Sequence, residues 1–181
     1  RKDANYDWKS IKDILNIGVP SGLQYIFEVG AFAFSAIMVG SIGPYPQAAH
    51  QIAISLASIS YMAASGLSAA ASIRVGNQLG QKDYKTLLLA SKTLFNMVIV
   101  FMSITGVIFL IGRNFLPSLF TNEEDVIFVA AQLLIITTFF QISDGVQVVA
   151  QGALRGLSDT RMPTIITFVA YWVIALPLAY F

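Results

Sequence analysis

The sequence TTFFQISDGVQVVAQGALR, residues 137–155, carries polar side chains at helical intervals within an otherwise apolar run. On an α-helix, steps of three or four residues place side chains on one face. The residues that follow these steps are Thr137, Gln141, Asp144, Gln147, Gln151 and Arg155. A carboxylate at the centre of a membrane helix costs about 2.5–3.5 kcal/mol on insertion scales, so this face is expected to meet protein or water and not lipid.

The composition predicts an all-α, polytopic membrane helix bundle. Of the 181 residues, 56% are hydrophobic and 12% are charged, and the mean hydropathy is +0.69. A soluble domain typically carries about twice this charged fraction. The sequence has no Cys, which excludes disulfides and thiolate metal sites. A net charge of +1 gives no support for nucleic acid as a partner.

Five apolar segments are long enough to cross a bilayer and define a predicted transmembrane region over residues 17–181. The segments cover about residues 17–40, 48–73, 93–112, 126–154 and 163–181. Before them, residues 1–16 are predicted to form a connector with an amphipathic helix on the membrane surface, with an ordinary linker as the alternative. The sequence begins at Arg1 and stops at Phe181 within an apolar run, so we expect a piece of a longer protein.

The distribution of basic residues predicts the orientation of the segments. When the connections are assigned to alternating sides of the membrane, every Lys and Arg except Arg113 falls on one side. Lys and Arg are enriched in cytoplasmic loops. Residues 1–16 are therefore expected on the cytoplasmic side of a multi-pass protein of the inner or plasma membrane.

Two acidic residues are predicted to lie at the same depth in the bundle. Glu28 and Asp144 each lie about eleven residues, roughly 16 Å, from the Lys/Arg-rich end of their segment at 1.5 Å per residue. Ionisable residues inside a membrane usually mark ion pathways, so we predict that this pair binds a coupling ion, either a proton or a sodium ion. The alternative is that the two acids face different neighbours and are each simply hydrogen-bonded.

Polar neighbours of the acids complete the predicted site. The oxygens of Gln141 and Ser143 are hard donors of the kind that alkali cations accept, and Thr137, Gln147 and Gln151 are expected to line the same cavity. His50 is interpreted as a hydrogen-bonded histidine near the end of its segment. No Ser-His-Asp set, metal-ligand cluster or phosphate-binding loop is recognisable, so the sequence predicts neither an enzyme nor a cofactor.

Four stretches resemble the multidrug and toxic compound extrusion (MATE) family of antiporters. They are AAHQI at 48–52, GLSAAASIRVGN at 66–77, QISDGVQ at 141–147 and GALRG at 152–156. The resemblance implies the second lobe of a protein with twelve helices in two six-helix lobes, here helices seven to ten and much of eleven. It also implies export of organic cations and other drugs, driven by inward sodium ions or protons, with the lipid bilayer and the first lobe as partners.

The same resemblance assigns roles to individual residues. In a bacterial branch of the family, the coupling site uses a glutamate on helix seven and an aspartate on helix ten, which match Glu28 and Asp144. That branch has a tyrosine four residues before the aspartate, where this sequence has Phe140, whose ring face remains available to a cation. Two alternatives stay open: a lipid-linked-precursor flippase of the same superfamily, and a channel or receptor.

Overall fold

The computed structural model describes residues 8–180, and these residues fold into helices joined by short turns. The helices are α1 (Trp8–Gly40), α2 (Pro44–Gly80), α3 (Tyr84–Ile111), α4 (Phe115–Ser118), α5 (Glu124–Gly156), α6 (Arg161–Phe168), a π-helical segment (Val169–Ala175) and α7 (Leu176–Tyr180). Helix α6, the π-helical segment and α7 form one continuous rod over Arg161–Tyr180. With this rod counted as one helix, five helices are long and apolar enough to cross a membrane. The predicted fold class, an all-α bundle with five spans, is confirmed.

The first helix begins within the predicted connector. Residues 8–16 are helical and continue into the first span without a break, whereas residues 1–7 of the connector lie outside the described part of the chain. Pro20 lies inside α1. It removes one backbone hydrogen bond, and its own carbonyl oxygen accepts a hydrogen bond from the Thr164 hydroxyl at 2.8 Å. Whether the start of α1 lies on the membrane surface stays a prediction.

The two turns at the Lys/Arg-rich end share one geometry. Lys82 and Ser158 adopt left-handed backbone conformations, with φ of 57° and 62°. The next N–H in each turn, that of Asp83 or Asp159, donates 3.0 Å to the carbonyl five residues earlier, which is the bond that closes a Schellman motif. Asp83 then caps α3 by accepting the Thr86 N–H at 3.1 Å. The Thr86 side chain and its backbone N–H together lower the pKa of the Asp83 carboxyl.

Helices α2, α3 and α5, here called the helix triad, form the packed core of the molecule, with α5 in contact with both α2 and α3. The backbones of α2 and α5 touch where Gly152 faces Ser68 and Gly156 faces Ser72. A methyl group on Gly152 would collide with the carbonyl and hydroxyl oxygens of Ser68, and one on Gly156 would lie 2.6 Å from the Ser72 carbonyl oxygen. Small residues at such positions allow membrane helices to approach closely.

Helix α1 and the rod from α6 to α7, here called the helix pair, pack against each other beside the triad. The rod is π-helical just before Pro177, and the Leu176 N–H reaches back five residues to the Tyr171 carbonyl oxygen. Pro177 lacks an N–H and its ring crowds the carbonyl four residues earlier, so a local widening of the helix accommodates it. Because α1 contacts α2 but makes little contact with α5, a cleft separates the pair from α5.

Candidate functional site

The cleft between the helix pair and the helix triad holds two adjoining chambers. The outer chamber, toward the His50 end of α2, has a volume of about 520 Å³. The inner chamber, toward the Lys/Arg-rich end, has a volume of about 400 Å³. The side chains of Tyr25, Glu28, Tyr61 and Ser65 line both chambers. Glu28 therefore lies at the junction of the two spaces.

Glu28 projects from α1 and is only 4% exposed. Its Oε1 accepts a hydrogen bond of 3.2 Å from the Tyr61 hydroxyl, which comes from α2. This bond joins the helix pair to the helix triad in the middle of the cleft. The phenol that position 140 lacks is thus present in the site, but it is supplied by another helix.

Asp144 projects from α5 on the opposite wall and lines the outer chamber together with Glu28. The two carboxylates are close enough for the charge of Glu28 to act on Asp144. The structure therefore brings the two predicted acids to one cavity. In a medium of low dielectric constant, two carboxylates in one cavity repel each other, and binding of a proton or cation relieves that repulsion.

The remaining lining of the outer chamber is mainly apolar and aromatic. Phe32, Met62, Leu133 and Phe140 contribute to it. Thr137 also lines this chamber, although its hydroxyl donates to the Leu133 carbonyl oxygen at 2.9 Å. An apolar cavity with a few polar groups is typical of a site for a small amphiphilic molecule.

The inner chamber has a more polar lining than the outer one. Its side chains include Ser21, Gln24, Ser72, Gln151 and Arg155. The Arg155 Nε donates to the Gln151 carbonyl oxygen at 3.3 Å, and its Nη2 donates to the Ser68 Oγ at 3.4 Å. The charge of Arg155 reaches Glu28 electrostatically.

The structure does not place three of the predicted residues among the lining of either chamber. Gln141 is 2% exposed and turned into the triad, where its Oε1 accepts from Ser60 and its Nε2 donates to the Met102 carbonyl oxygen, both at 3.2 Å. Ser143 is exposed on the surface of the bundle. Gln147 lies near Tyr171 of the helix pair and lines neither chamber.

These differences follow from the width of the predicted face of α5. At 3.6 residues per turn, Gln141 and Gln147 are about 120° apart around the helix. They therefore reach different neighbours, the triad on one side and the pair on the other. Thr137, Phe140, Asp144 and Gln151 lie between these directions. The first three line the outer chamber, whereas Gln151, which was expected in the same cavity, lines the inner one.

Across residues 8–180, no group of three or more His, Cys, Asp or Glu side chains is arranged to hold a metal ion. The outer chamber offers two carboxylates, with Ser58, Tyr61, Ser65 and Thr137 as hydroxyl-bearing residues in its lining. This donor set suits a weakly held monovalent cation or a proton that passes through, because multivalent cations prefer more charged ligands.

A family model described as MatE matches residues 20–181 of the sequence. The chain belongs to the MATE family. Membership confirms the resemblance that the four sequence stretches indicate. MATE proteins are transporters, so the expectation that the chain is not an enzyme is also confirmed.

Two curated relatives carry names that describe drug resistance. The chain is 37% identical over 174 residues to the multidrug resistance protein MdtK of Yersinia pseudotuberculosis serotype O:1b (strain IP 31758). It is 37% identical over 179 residues to a probable multidrug resistance protein, NorM, of Agrobacterium fabrum. Each match covers 96% of this chain and 38% of the relative. The chain therefore spans less than half the length of these relatives. Their names describe multidrug resistance and do not favour a flippase for lipid-linked precursors.

A solved structure shows the same arrangement of helices. The crystal structure of the eukaryotic MATE transporter AtDTX14 superimposes with a TM-score of 0.85 at 25% sequence identity, covering 94% of this chain and 38% of that one. This coverage is consistent with one lobe of a two-lobed protein, and it supports the prediction that a MATE-type lobe packs beside a partner lobe.

The sequence alone does not place two tyrosines, Tyr61 and Tyr171, near the acids. Tyr61 lies in the small-residue run of α2, where little in the pattern indicates which face meets the cleft. Tyr171 lies in the π-helical segment, and the charges of Glu28 and Asp144 both act on it. A phenol at mid-span in a membrane helix is the one signal that singles out these two residues, since tyrosines of membrane helices are usually found at the interfaces.

Proposed function

We propose that the full-length protein is a secondary active antiporter of the inner or plasma membrane that exports organic cations and other drugs in exchange for sodium ions or protons. In this proposal Glu28 and Asp144 hold the coupling ion. The observation that carries it is that the two carboxylates, from opposite walls of the cleft, line one chamber. The coupling ion is a co-substrate, so no resident cofactor is involved.

The physical basis is the charge of the empty site. Two carboxylates sharing a poorly hydrated cavity disfavour full ionisation of both, so an ion that neutralises one of them binds favourably. A monovalent cation that enters down a membrane potential gains about 2.3 kcal/mol per 100 mV, which is available to drive export of a second molecule. Phe140 and Thr137 adjoin this site in the outer chamber.

The outer chamber also supports a cationic cargo. Its lining combines aromatic and aliphatic side chains with two acids and, among the described residues, contains no Lys or Arg. The Phe140 ring is available to a cation through its face. A flippase for an anionic lipid-linked precursor would require basic groups in this chamber, so we favour the drug exporter.

The proposal includes a second lobe and an orientation. Alternating access in such transporters is produced by rocking of two halves around a central site. We therefore infer that the outer chamber faces the first lobe, which the relatives' greater length accommodates. The Lys/Arg-rich end is assigned to the cytoplasm by the positive-inside tendency.

The test uses the full-length protein in proteoliposomes that report efflux of ethidium, a lipophilic cation. Sodium and proton gradients are imposed separately. We expect one gradient to drive efflux in the wild type, and Glu28→Gln or Asp144→Asn to reduce the driven rate about tenfold or more, since 1.4 kcal/mol of lost ion binding corresponds to a factor of ten.

The matched control is Glu124→Gln, which removes an exposed acid from the first turn of α5 and lies away from both chambers. This variant is expected to transport like the wild type. Efflux that ignores both gradients would reject the antiporter. Full gradient-driven efflux by both Glu28→Gln and Asp144→Asn would reject the assigned coupling site.

A further inference from the structure

The inner chamber carries opposite charges on its two walls. Glu28, on the helix pair, is buried where this chamber meets the outer one, and Arg155, on the helix triad, is exposed toward the Lys/Arg-rich end. Neutral hydroxyl and amide side chains line part of the space between them, namely Ser21, Gln24, Ser65, Ser68, Ser72 and Gln151. Such a lining can replace part of the hydration shell of a small cation without holding it tightly.

Arg155 is held by contacts that leave much of its guanidinium free. The guanidinium has five N–H donors, and the structure uses two of them, in bonds of 3.3 Å to the Gln151 carbonyl oxygen and 3.4 Å to the Ser68 Oγ. Both bonds are long for charged donors. Since Arg155 and Glu28 line the same space, Arg155 is a cation tethered within the same chamber as the buried acid.

We propose that the inner chamber is the passage through which the coupling ion leaves Glu28 for the Lys/Arg-rich side, and that Arg155 is a tethered cation that compensates Glu28 once the ion has left. The inference rests on the proposed antiporter function. It makes Arg155 a positioning residue that weakens ion binding from the inner side. A low affinity on this side favours release, because a buried carboxylate without a counter-charge would retain the ion.

A purely structural role for Arg155 is the competing explanation, since its bond to Ser68 Oγ ties α5 to α2 beside the contact of Gly152 with Ser68. The two explanations differ in one respect. A structural tie affects stability whatever residue occupies position 28, whereas a tethered cation affects ion affinity only when Glu28 is ionisable. The experiment is therefore built on the dependence of the Arg155 effect on Glu28.

The first measurement uses the full-length protein in vesicles with the Lys/Arg-rich face outward. Ethidium transport is driven by the gradient that drives the wild type, while Na⁺ or, in a parallel series, H⁺ is raised on the outward face. We expect Arg155→Gln to be inhibited at a concentration about fivefold or more below that of the wild type, the low end of typical coupling between sites. Arg155→Lys keeps the charge and is expected to stay within about twofold of the wild type.

The second measurement is equilibrium binding of Na⁺, followed with ²²Na⁺, or of H⁺, followed with a pH indicator, to the purified full-length protein. Arg155→Gln is expected to tighten binding about fivefold or more when Glu28 is present, and to leave it unchanged in the Glu28→Gln background, where Asp144 remains. The control is Arg161→Gln, which removes an exposed charge at the start of α6, on the same side of the membrane.

Three results would overturn the inference while leaving the antiporter intact. They are unchanged inhibition and affinity in Arg155→Gln, an equal change in the Glu28→Gln background, and an equal change in Arg161→Gln. If Arg155→Gln does not fold, Arg155→Met takes its place; it keeps an aliphatic stem while removing the charge and both hydrogen bonds. Failure of the antiporter itself is recognised separately, by wild-type efflux that ignores both gradients.

Discussion

The helix triad and the helix pair form the two walls of one cleft, but different contacts hold each of them together. In the triad, backbones touch at Gly152 and Gly156, and side chains such as Val98, Met102 and Leu134 are fully buried. In the pair, the contacts between α1 and the α6–α7 rod are those of individual side chains. The Phe27 and Phe168 rings lie 4.9 Å apart, and Trp172 donates its indole N–H to the Phe27 carbonyl oxygen at 3.0 Å.

Because of this difference, the two acids project from helices that are packed to different extents. Asp144 is carried by α5, which the triad packs on two sides, while Glu28 is carried by α1, whose packing depends on fewer and more separable contacts. Regions with few buried contacts open and shift more easily than densely packed ones. The comparison therefore predicts that substitutions in the triad strongly reduce stability and that substitutions in the pair reduce it less. It also predicts that loss of the Tyr61–Glu28 hydrogen bond, which joins the two walls, changes ion binding.

The largest effect is expected from Gly152→Ala in the triad. The added methyl group would overlap backbone and side-chain oxygens of Ser68, so α2 and α5 must separate. We expect the melting temperature of the purified full-length protein to fall by about 5 °C or more, with reduced yield, as is typical of overpacking at a tight contact.

Gly22→Ala in the pair is the matched control, because a methyl group there meets no atom within 4 Å. Alanine is also the better helix former, so this variant is expected to be neutral or slightly stabilising. Equal losses in the two variants, or a stable Gly152→Ala, would show that the triad is not the more tightly packed wall.

Sequence reasoning reached the acids because their environment is unusual. A carboxylate in an apolar segment is costly wherever it points, so Glu28 and Asp144 are conspicuous from composition alone, and helical rise fixes their depth. Gln141 and Gln147 are less constrained, since an amide can be satisfied by almost any neighbour. Gln141 bonds to Ser60 and to the Met102 carbonyl oxygen, and Gln147 lies near Tyr171. These neighbours depend on which helices flank α5, and the periodicity of the sequence does not specify that.

The next effect concerns Tyr61, whose hydroxyl links the two walls. Tyr61→Phe removes a donor from Glu28 without creating a cavity. A hydrogen bond to a charged group contributes about 1.5–3 kcal/mol, so the ion-free carboxylate becomes less stable. We expect the coupling ion to bind about tenfold more tightly, with little change in melting temperature, as measured by equilibrium ion binding and thermal unfolding of the full-length protein.

Tyr84→Phe, an exposed tyrosine at the start of α3, serves as the control for the loss of a phenol and is expected to bind the ion like the wild type. Weaker ion binding in Tyr61→Phe would contradict the expectation. It would identify the hydroxyl as a ligand of the bound ion instead of a stabiliser of the empty site.

The shape of the pair was less predictable than its existence. Pro177 within the last apolar segment indicates a disturbance of the helix, but the missing N–H is equally compatible with a kink, a break or a widened turn. The structure shows a widened turn, which brings the consecutive residues Tyr171 and Trp172 into contact with protein. Their neighbours are Gln147 on the triad and Phe27 on α1, a pairing that no local pattern encodes.

The smallest effect is expected from Trp172→Phe in the pair. The substitution removes the indole N–H that donates to the Phe27 carbonyl oxygen and retracts the ring from Gly30, where an added methyl group would lie 3.3 Å from it. One neutral hydrogen bond contributes about 1 kcal/mol, which corresponds to about 2–4 °C in melting temperature for a chain of this size. Trp8→Phe, at a position 79% exposed, is the control and is expected to unfold like the wild type. A loss in Trp172→Phe as large as that in Gly152→Ala would mean that the wall carrying Glu28 is as firmly held as the wall carrying Asp144, and the contrast between them would fail.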